Sequence, residues 1–582
     1  PTRGSSRPAP RPGLVLDVDR STPPVLFHHG EQLRLEKLPA ERSRIIYPPE
    51  PLPGLDDPDQ AIRDALENPI DSEPLSALLF ADMRLTIAFD DISLPLPQMR
   101  RPDIRQRVIE AVLDLAAEAG VTDVHLIAAL ALHRRMTEEE LRHAVGDRVY
   151  DSFAPRGQLY NHDAEDPDGM TLVGTTRHGE EVQISTRAAT SDLIVYVNIN
   201  LVSMDGGWKS TATGLSGYQA LRHHHNVHTM RASRSFMDRE SSELHRSNWR
   251  QGEVLRDAGI KVFQIETTVN NDLYGDGPLK VLAKREWEWT TRDRATFMAA
   301  KAGLDRLSPA QRRRILHGWR APYAMTSVQA GEVEAVHEVT TRHVYDQQLV
   351  PVEGQTDILA LGLPYICPYN VNSIMNPILV MCLGLGYFFN LYKGRPLVRE
   401  GGVLIMSHPT TPEFHPVHHP SYIDFFEEVL AETTDPLVME AQYEERFATD
   451  EWYRHLYRTS HAYHGVHPFY MWYWGSHALE HLGGVVVVGG DPATVRRLGF
   501  RPASTMSDAL EIASDVVGRQ PTITYFEVRV DGSPAPAAIP TTLPAALDPV
   551  PAEAVVTRRT VQYGSWGNAM EINGRSFGDD PD

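Results

Sequence analysis

From residue 85 to residue 528, short apolar runs alternate with segments of helical period, and the runs end at polar or charged side chains. Runs at 85–89, 124–132 and 193–198 have the length and β-branched content of buried strands. Between the first two, 102–119 sets Ile104, Val108, Ile109, Val112, Leu113 and Ala116 on one helical face. Thr137-Glu138-Glu139-Glu140 is a capping pattern that opens a further helix running to Gly146. In the second half, 403–406, 485–488 and 522–528 read as strands, and 424–433 and 505–517 as helices. This alternation folds as α/β with parallel sheets, and such sheets gather ligands beyond the carboxyl ends of their strands.

At 582 residues the chain exceeds one ordinary core. We therefore expect two α/β domains, the first Rossmann-like, with an active site at their interface. The expected divisions are a flexible segment at 1–24, a cofactor-binding domain at 25–340, a second α/β domain at 341–532 and a Pro/Ala-rich tail at 533–582. A net charge of −21 argues against a nucleic-acid face, which needs a basic surface. The two cysteines, Cys367 and Cys382, exclude a disulfide scaffold and a cysteine zinc site, and fit a reducing compartment. The chain opens Pro-Thr-Arg-Gly without a Met, and no basic-then-apolar signal opening is visible. The stretch 374–392 is about a membrane thickness long. Asn376, Pro377 and Asn390 interrupt it, so it reads as a buried core helix. The expected setting is cytoplasmic, without membrane or nucleic-acid partners.

Four constellations carry chemistry. Asp90-Asp91-Ile92-Ser93-Leu94-Pro95-Leu96-Pro97 puts two acids and then stiffening prolines after a strand, which suits either a solvated turn or a site loop. His133 closes the apolar run at 124–132, where an imidazole is either structural or poised to move protons. Gly206-Gly207-Trp208-Lys209 is a glycine turn holding a lysine, followed by Gly214 and His223-His224-His225. Trp208 speaks against a Walker loop, which needs Gly directly before the Lys. The arrangement suits a phosphate or carbonyl at Lys209 and a nickel ion on imidazole, and equally a solvated His-rich helix end. The fourth, His408, His415, His418 and His419, is either a metal cluster or a polar loop.

In order and over most of residues 45–530, these segments resemble the lactate racemase (LarA-like) family. The resemblance rests on Leu55-Asp56-Asp57-Pro58, the acidic-proline loop, His133, Asn161-His162-Asp163, Leu172-Val173-Gly174-Thr175, Lys209, Gly214 and His225. In the second half it rests on Gly401-Gly402-Val403-Leu404-Ile405 and Leu498-Gly499-Phe500. It implies a nickel-pincer nucleotide, a pyridinium thio-mononucleotide bound covalently or by its phosphate at Lys209, with His225 as the nickel ligand. Asp91, Gly206, Gly207, Trp472 and Trp474 fall where the family surrounds its cofactor. The implied reaction removes a hydride from C2 of a 2-hydroxy acid through a 2-keto intermediate, with His133 as the base. Implied partners are the hydroxy acid and the enzymes that build the cofactor.

Three departures stand out. Leu94 replaces the family's arginine and cannot pair with a carboxylate. Asn198, Ile199 and Asn200 stand where a second catalytic histidine is expected, which leaves Asn200 as the polar candidate there. The Gln-x-x-Lys substrate motif is replaced at 372–378 by Asn372-Ser373-Ile374-Met375-Asn376-Pro377-Ile378. The expectation is a nickel-dependent racemase or epimerase, an isomerase, whose substrate is not lactate. The alternatives are a hydride-transfer redox enzyme on the same cofactor and a non-catalytic cofactor-binding homologue. A replacement base is looked for in His223, His224 or the fourth cluster.

Overall fold

The structure, a computed structural model, describes residues 14–94, 97–275, 277–527 and 537–538. Two large sheets organise it. The first has six strands: Arg84–Asp90, Asp123–Ala129, Leu159–Asn161, Leu193–Asn200, Val262–Val269 and Met325–Gly331. Numbered along the chain, they lie in the order 3-2-1-4-5-6, the doubly wound arrangement, with only the last antiparallel to its neighbour. The order reverses between Arg84–Asp90 and Leu193–Asn200, which pair in parallel. The crevice at their carboxyl ends is where such a sheet takes its ligands.

Helix Ile104–Glu118 buries Ile104, Val108, Ile109, Val112 and Ala116 on this sheet, as its periodicity predicts, and Asp103 caps it. Helix Glu138–Val145 starts from a complete capping box between Thr137 and Glu140. The strand before His133 is shorter than expected. It stops at Ala129, and Ala131 turns with φ 50°, so His133 sits in a turn beyond the strand end.

The second sheet has seven strands. Its middle is parallel, built from Thr356–Gly362, Val398–Ser407, Gly484–Val488, Arg501–Ala503 and Ile523–Phe526. Its edge comes from the chain's beginning: Ser43–Ile46 lies parallel to Ile523–Phe526, and Val15–Asp17 pairs antiparallel with it. This corrects two of the expected divisions. From Val15 the first segment carries a strand; Val15–Asp17 and Ser43–Ile46 join the second sheet instead of the first domain, while Val25–His29 and Gln32–Glu36 pair as a separate hairpin. The strand at 43–46 is too short, and too far in sequence from its partner, for local pattern to show where it pairs. Of the Pro/Ala run at 533–582, Ala537–Ala538 pairs with Val350–Pro351 and Tyr392–Lys393; the rest lies outside the described residues.

Two expected helices are interrupted. In the apolar stretch at 374–392, helix Pro377–Met381 passes into a wider turn at Cys382–Tyr387 and a tight one at Phe388–Asn390, nearly all of it buried. The segment at 424–433 is likewise split by a wide turn at Phe425–Val429. No helix among the described residues is long and apolar enough to cross a membrane. Both cysteines are free and buried, and burial raises both thiol pKa values, so they act as packing. One apolar cluster joins the halves: Leu132, Met204, Leu221, Met230 and Phe236 pack with Tyr369, Tyr422, Tyr470 and Trp474.

Candidate functional site at the interface of the two halves

The glycine turn is built on a buried carboxylate. Glu266, fully buried on strand Val262–Val269, accepts from Gly207 N–H at 2.6 Å, Gln264 Nε2 at 3.2 Å and Asn200 Nδ2 at 3.1 Å, and contacts His337 Nδ1 at 3.2 Å. Gly206 and Gly207 have φ of 84° and 56°, which side chains rarely adopt. A Cβ on Gly206 would stand 2.2 Å from Glu266 Oε1. The turn launches helix Trp208–Gly214, on which Trp208 packs against Gly252 and donates to Glu334 at 3.0 Å. Lys209 reaches Asp205 Oδ1 at 3.2 Å and is a quarter exposed.

His225 lies in the turn before helix Val227–Ala232. Its ring meets Tyr470 at 5.3 Å and the edge of Trp474 at 5.8 Å. Burial, then His224, Lys209 and His133, hold its pKa well below the ordinary imidazole range. Lys209 and His133 are thus near enough for their charge to act on His225. A neutral imidazole is the form that ligates nickel. Beside it, Trp474 Nε1, Tyr470 Oη and His224 Nε2 are buried without a partner among the described residues. Polar atoms left so in a dense interior fit a polar group that the chain itself does not supply.

His133 is oriented by the first strand. Its Nδ1 lies 3.0 Å from Asp91 Oδ2, and Asp91 also accepts from the N–H and hydroxyl of Ser93. Arg105 donates to the carbonyls of Asp90 and Asp91 and fixes that loop. Asp90 turns inward, accepting from Ile199 N–H at 2.8 Å, and burial pushes its pKa up to about 7. Around His133 stand Tyr369, Tyr463 and His467 of the second half, with ring centres at 5.1, 6.3 and 5.4 Å.

The structure pairs Asp91 with His133 and His225 with Trp474, and the Gly206-Gly207 turn starts the helix that carries Lys209. Two named residues stand apart. Asn200 is buried behind the glycine turn, bonded to Glu266 and the Asp205 carbonyl, so it props that turn and is not presented to a substrate. Trp472 faces the second core, donating to the Thr434 carbonyl at 3.2 Å and packing on Phe425. The fourth histidine cluster is dispersed. His415 stacks on His418, His419 contacts the Tyr369 carbonyl, and His408 accepts from Thr410 N–H. No group of three His, Cys, Asp or Glu side chains is arranged to hold a metal among the described residues. Leu94 packs on the first core, and Asn372 and Asn376 serve as a partner of Glu140 and a helix cap. Sequence reasoning missed Glu266 and His467. The latter's only local sign is the density of His and Tyr at 461–474.

Residues 29–238 match the family model of the lactate racemase N-terminal domain. That span holds Asp91, His133, Lys209 and His225. Over that N-terminal span the chain is lactate racemase-like. The lactate racemase of Thermoanaerobacterium thermosaccharolyticum is 24% identical over 169 residues, 28% of this chain and 37% of that protein, so the alignment spans little more than a third of the relative. The lactate racemase apoprotein structure from the same organism superposes with a TM-score of 0.56 at 17% identity, covering 88% of this chain and 99% of that one. The two chains therefore share a fold well beyond the matched N-terminal domain. A Thermotoga maritima structure gives a TM-score of 0.46 at 13% identity, over 85% of this chain and 100% of that one.

Proposed function

We propose that the protein is an isomerase, a racemase or epimerase of a 2-hydroxy acid other than lactate, and that it works with a nickel-pincer nucleotide. The observation that carries the reading is the meeting of the Asp91–His133 pair with Lys209 and the neutral His225 at the sheet's reversal point. In this reading His225 ligates nickel and Lys209 tethers the nucleotide or anchors its phosphate. Gly206 and Gly207 form the turn that launches the helix carrying Lys209, and Trp474 walls the site. When bound, the group supplies a reversible hydride acceptor.

The chain's own task is to orient the substrate and handle its hydroxyl proton. An acceptor carboxylate at Asp91 keeps the proton of neutral His133 on Nδ1 and leaves a lone pair on Nε2. That lone pair takes the substrate hydroxyl proton as the C2 hydride leaves, and a 2-keto acid forms. Returning hydride and proton restores the hydroxy acid in either configuration. A substrate other than lactate follows from Leu94 and from the aromatic lining of Tyr369, Tyr463 and Tyr470, which suits a bulkier side chain. Two free buried thiols fit a cytoplasmic setting, where the cofactor-building enzymes would be partners.

Expression with those enzymes tests the reading. About one nickel per chain and a mass increment at Lys209 are expected, with the nickel lost in His225→Ala. Neither nickel nor an adduct on wild-type protein overturns it. Net accumulation of keto acid without stereochemical mixing replaces isomerisation with redox turnover.

A further inference from the structure

We infer that His467, on the second half of the chain, is the second proton-transfer group of this site and that Tyr422 positions it; this rests on the proposed isomerase reading. His467 opens helix His467–Tyr473 and is 2% exposed. Its ring lies edge-on to His133, with centres 5.4 Å apart at 84°. Its Nδ1 meets the Tyr422 hydroxyl at 2.6 Å, and its Nε2 is buried with no partner among the described residues. His133 has the same division, with Nδ1 on Asp91 and no protein hydrogen bond at Nε2. Two imidazoles with engaged inner nitrogens and free outer ones thus face each other.

The partners differ in kind. Asp91, as a carboxylate, can only accept, which makes His133 Nε2 a base. The Tyr422 hydroxyl can donate, which leaves the proton of neutral His467 on Nε2 and makes it an acid. The placement is built in. His464 N–H donates to the Leu132 carbonyl at 3.2 Å, and its Nε2 contacts Glu165 at 3.0 Å. Tyr457 donates to the Ala131 carbonyl at 2.8 Å, and His461 Nδ1 meets the Arg135 carbonyl at 2.9 Å. Residues 457–467 are clamped on the turn that carries His133.

Stereochemistry requires two such groups. If C2–H of each enantiomer points at the same hydride acceptor and the carboxylate stays in place, the hydroxyls lie on opposite sides of the carbon. From one enantiomer the O–H proton passes to His133 Nε2, the C2–H electron pair leaves with the hydride, and C=O forms. Hydride then returns to C2, and the carbonyl oxygen takes its proton from His467 Nε2. As Nε2 gives up its proton, Nδ1 takes that of the Tyr422 hydroxyl, so the ring stays neutral and the negative charge rests on the tyrosinate. The reverse direction starts from that form, with His133 protonated and the His467 Nε2 lone pair free to accept, and solvent exchanges the two forms between turnovers.

The test uses cofactor-loaded enzyme with the enantiomers of lactate, 2-hydroxybutyrate, mandelate and 3-phenyllactate, and with gluconate. In His467→Gln, racemisation falls about 10²-fold or more in both directions, as equilibrium demands, with nickel content unchanged. One enantiomer still yields keto acid, trapped as its phenylhydrazone; in His133→Gln the other does. Tyr422→Phe weakens the same half-reaction as His467→Gln. Equal loss of both half-reactions in each variant overturns the inference alone. No turnover of any probe by wild type removes the isomerase reading as well. In the apoprotein, ¹⁵N-histidine NMR should find the proton on Nδ1 of His133 and on Nε2 of His467. The same nitrogen protonated in both rings overturns the pairing whatever the substrate.

Discussion

Asp91 Oδ2 lies 3.0 Å from His133 Nδ1, so two residues 42 positions apart meet across the ends of neighbouring parallel strands. The contact gives the imidazole one tautomer and one direction, and Ser93 and Arg105 hold the loop that supplies the acid.

Asp91→Asn tests that relation. An amide can present its N–H₂ to Nδ1 and favour the wrong tautomer, so turnover is expected to fall about 10²–10⁴-fold while nickel loading and Tm stay near wild type. Turnover within a few-fold of wild type would remove Asp91 from the mechanism.

The two tryptophans should separate. Trp474 borders His225 with an unpartnered Nε1, and Trp472 donates into the second core. Trp474→Phe should lower nickel retention during dialysis and leave Tm little changed. Trp472→Phe should lower Tm, by about 1–3 kcal/mol of stability, and leave nickel in place. The opposite pattern would reverse their assignment.

Gly206→Ala should be among the more damaging single-methyl additions. Its φ of 84° and the 2.2 Å approach to Glu266 Oε1 leave no relaxed position for a Cβ. We expect about 2–4 kcal/mol of lost stability, read by denaturant unfolding, together with loss of cofactor loading.

Glu444 links stability to pH. Burial pushes its carboxyl from 4.5 up to about 7, and the hydroxyls of Tyr473 and Tyr218 oppose that rise. The folded state therefore favours the protonated acid. Below about pH 4.5 both states carry the proton and nothing is lost. As pH rises to 7 the unfolded chain releases its proton first, and stability falls by on the order of 3 kcal/mol. Glu444→Gln should lessen the fall in Tm between pH 5 and 8; a curve parallel to wild type would show that the carboxyl titrates normally.

Features of the site that are local in sequence could be read directly. Lys209 and His225 are joined by one turn and short helices, and the capping box at Thr137 lies within four residues. Trp472 parts from Trp474 for a geometric reason: two helical steps turn about 200°, so only Trp474 lies beside His225. Asn200 is expected in the loop after a strand at 193–198; it instead closes the strand Leu193–Asn200, and the buried Glu266 holds it away from the crevice.

The sequence by itself determined the alternation of strands and helices, the caps and the glycine turn, because these depend on patterns a few residues long. Only the tertiary structure decided that Val15–Asp17 and Ser43–Ile46 edge the second sheet, that Glu266 carries the glycine turn, and that His467 packs edge-on against His133. Those contacts join positions tens to hundreds of residues apart. Packing and buried hydrogen bonding select them, and no local pattern in the chain encodes the pairing.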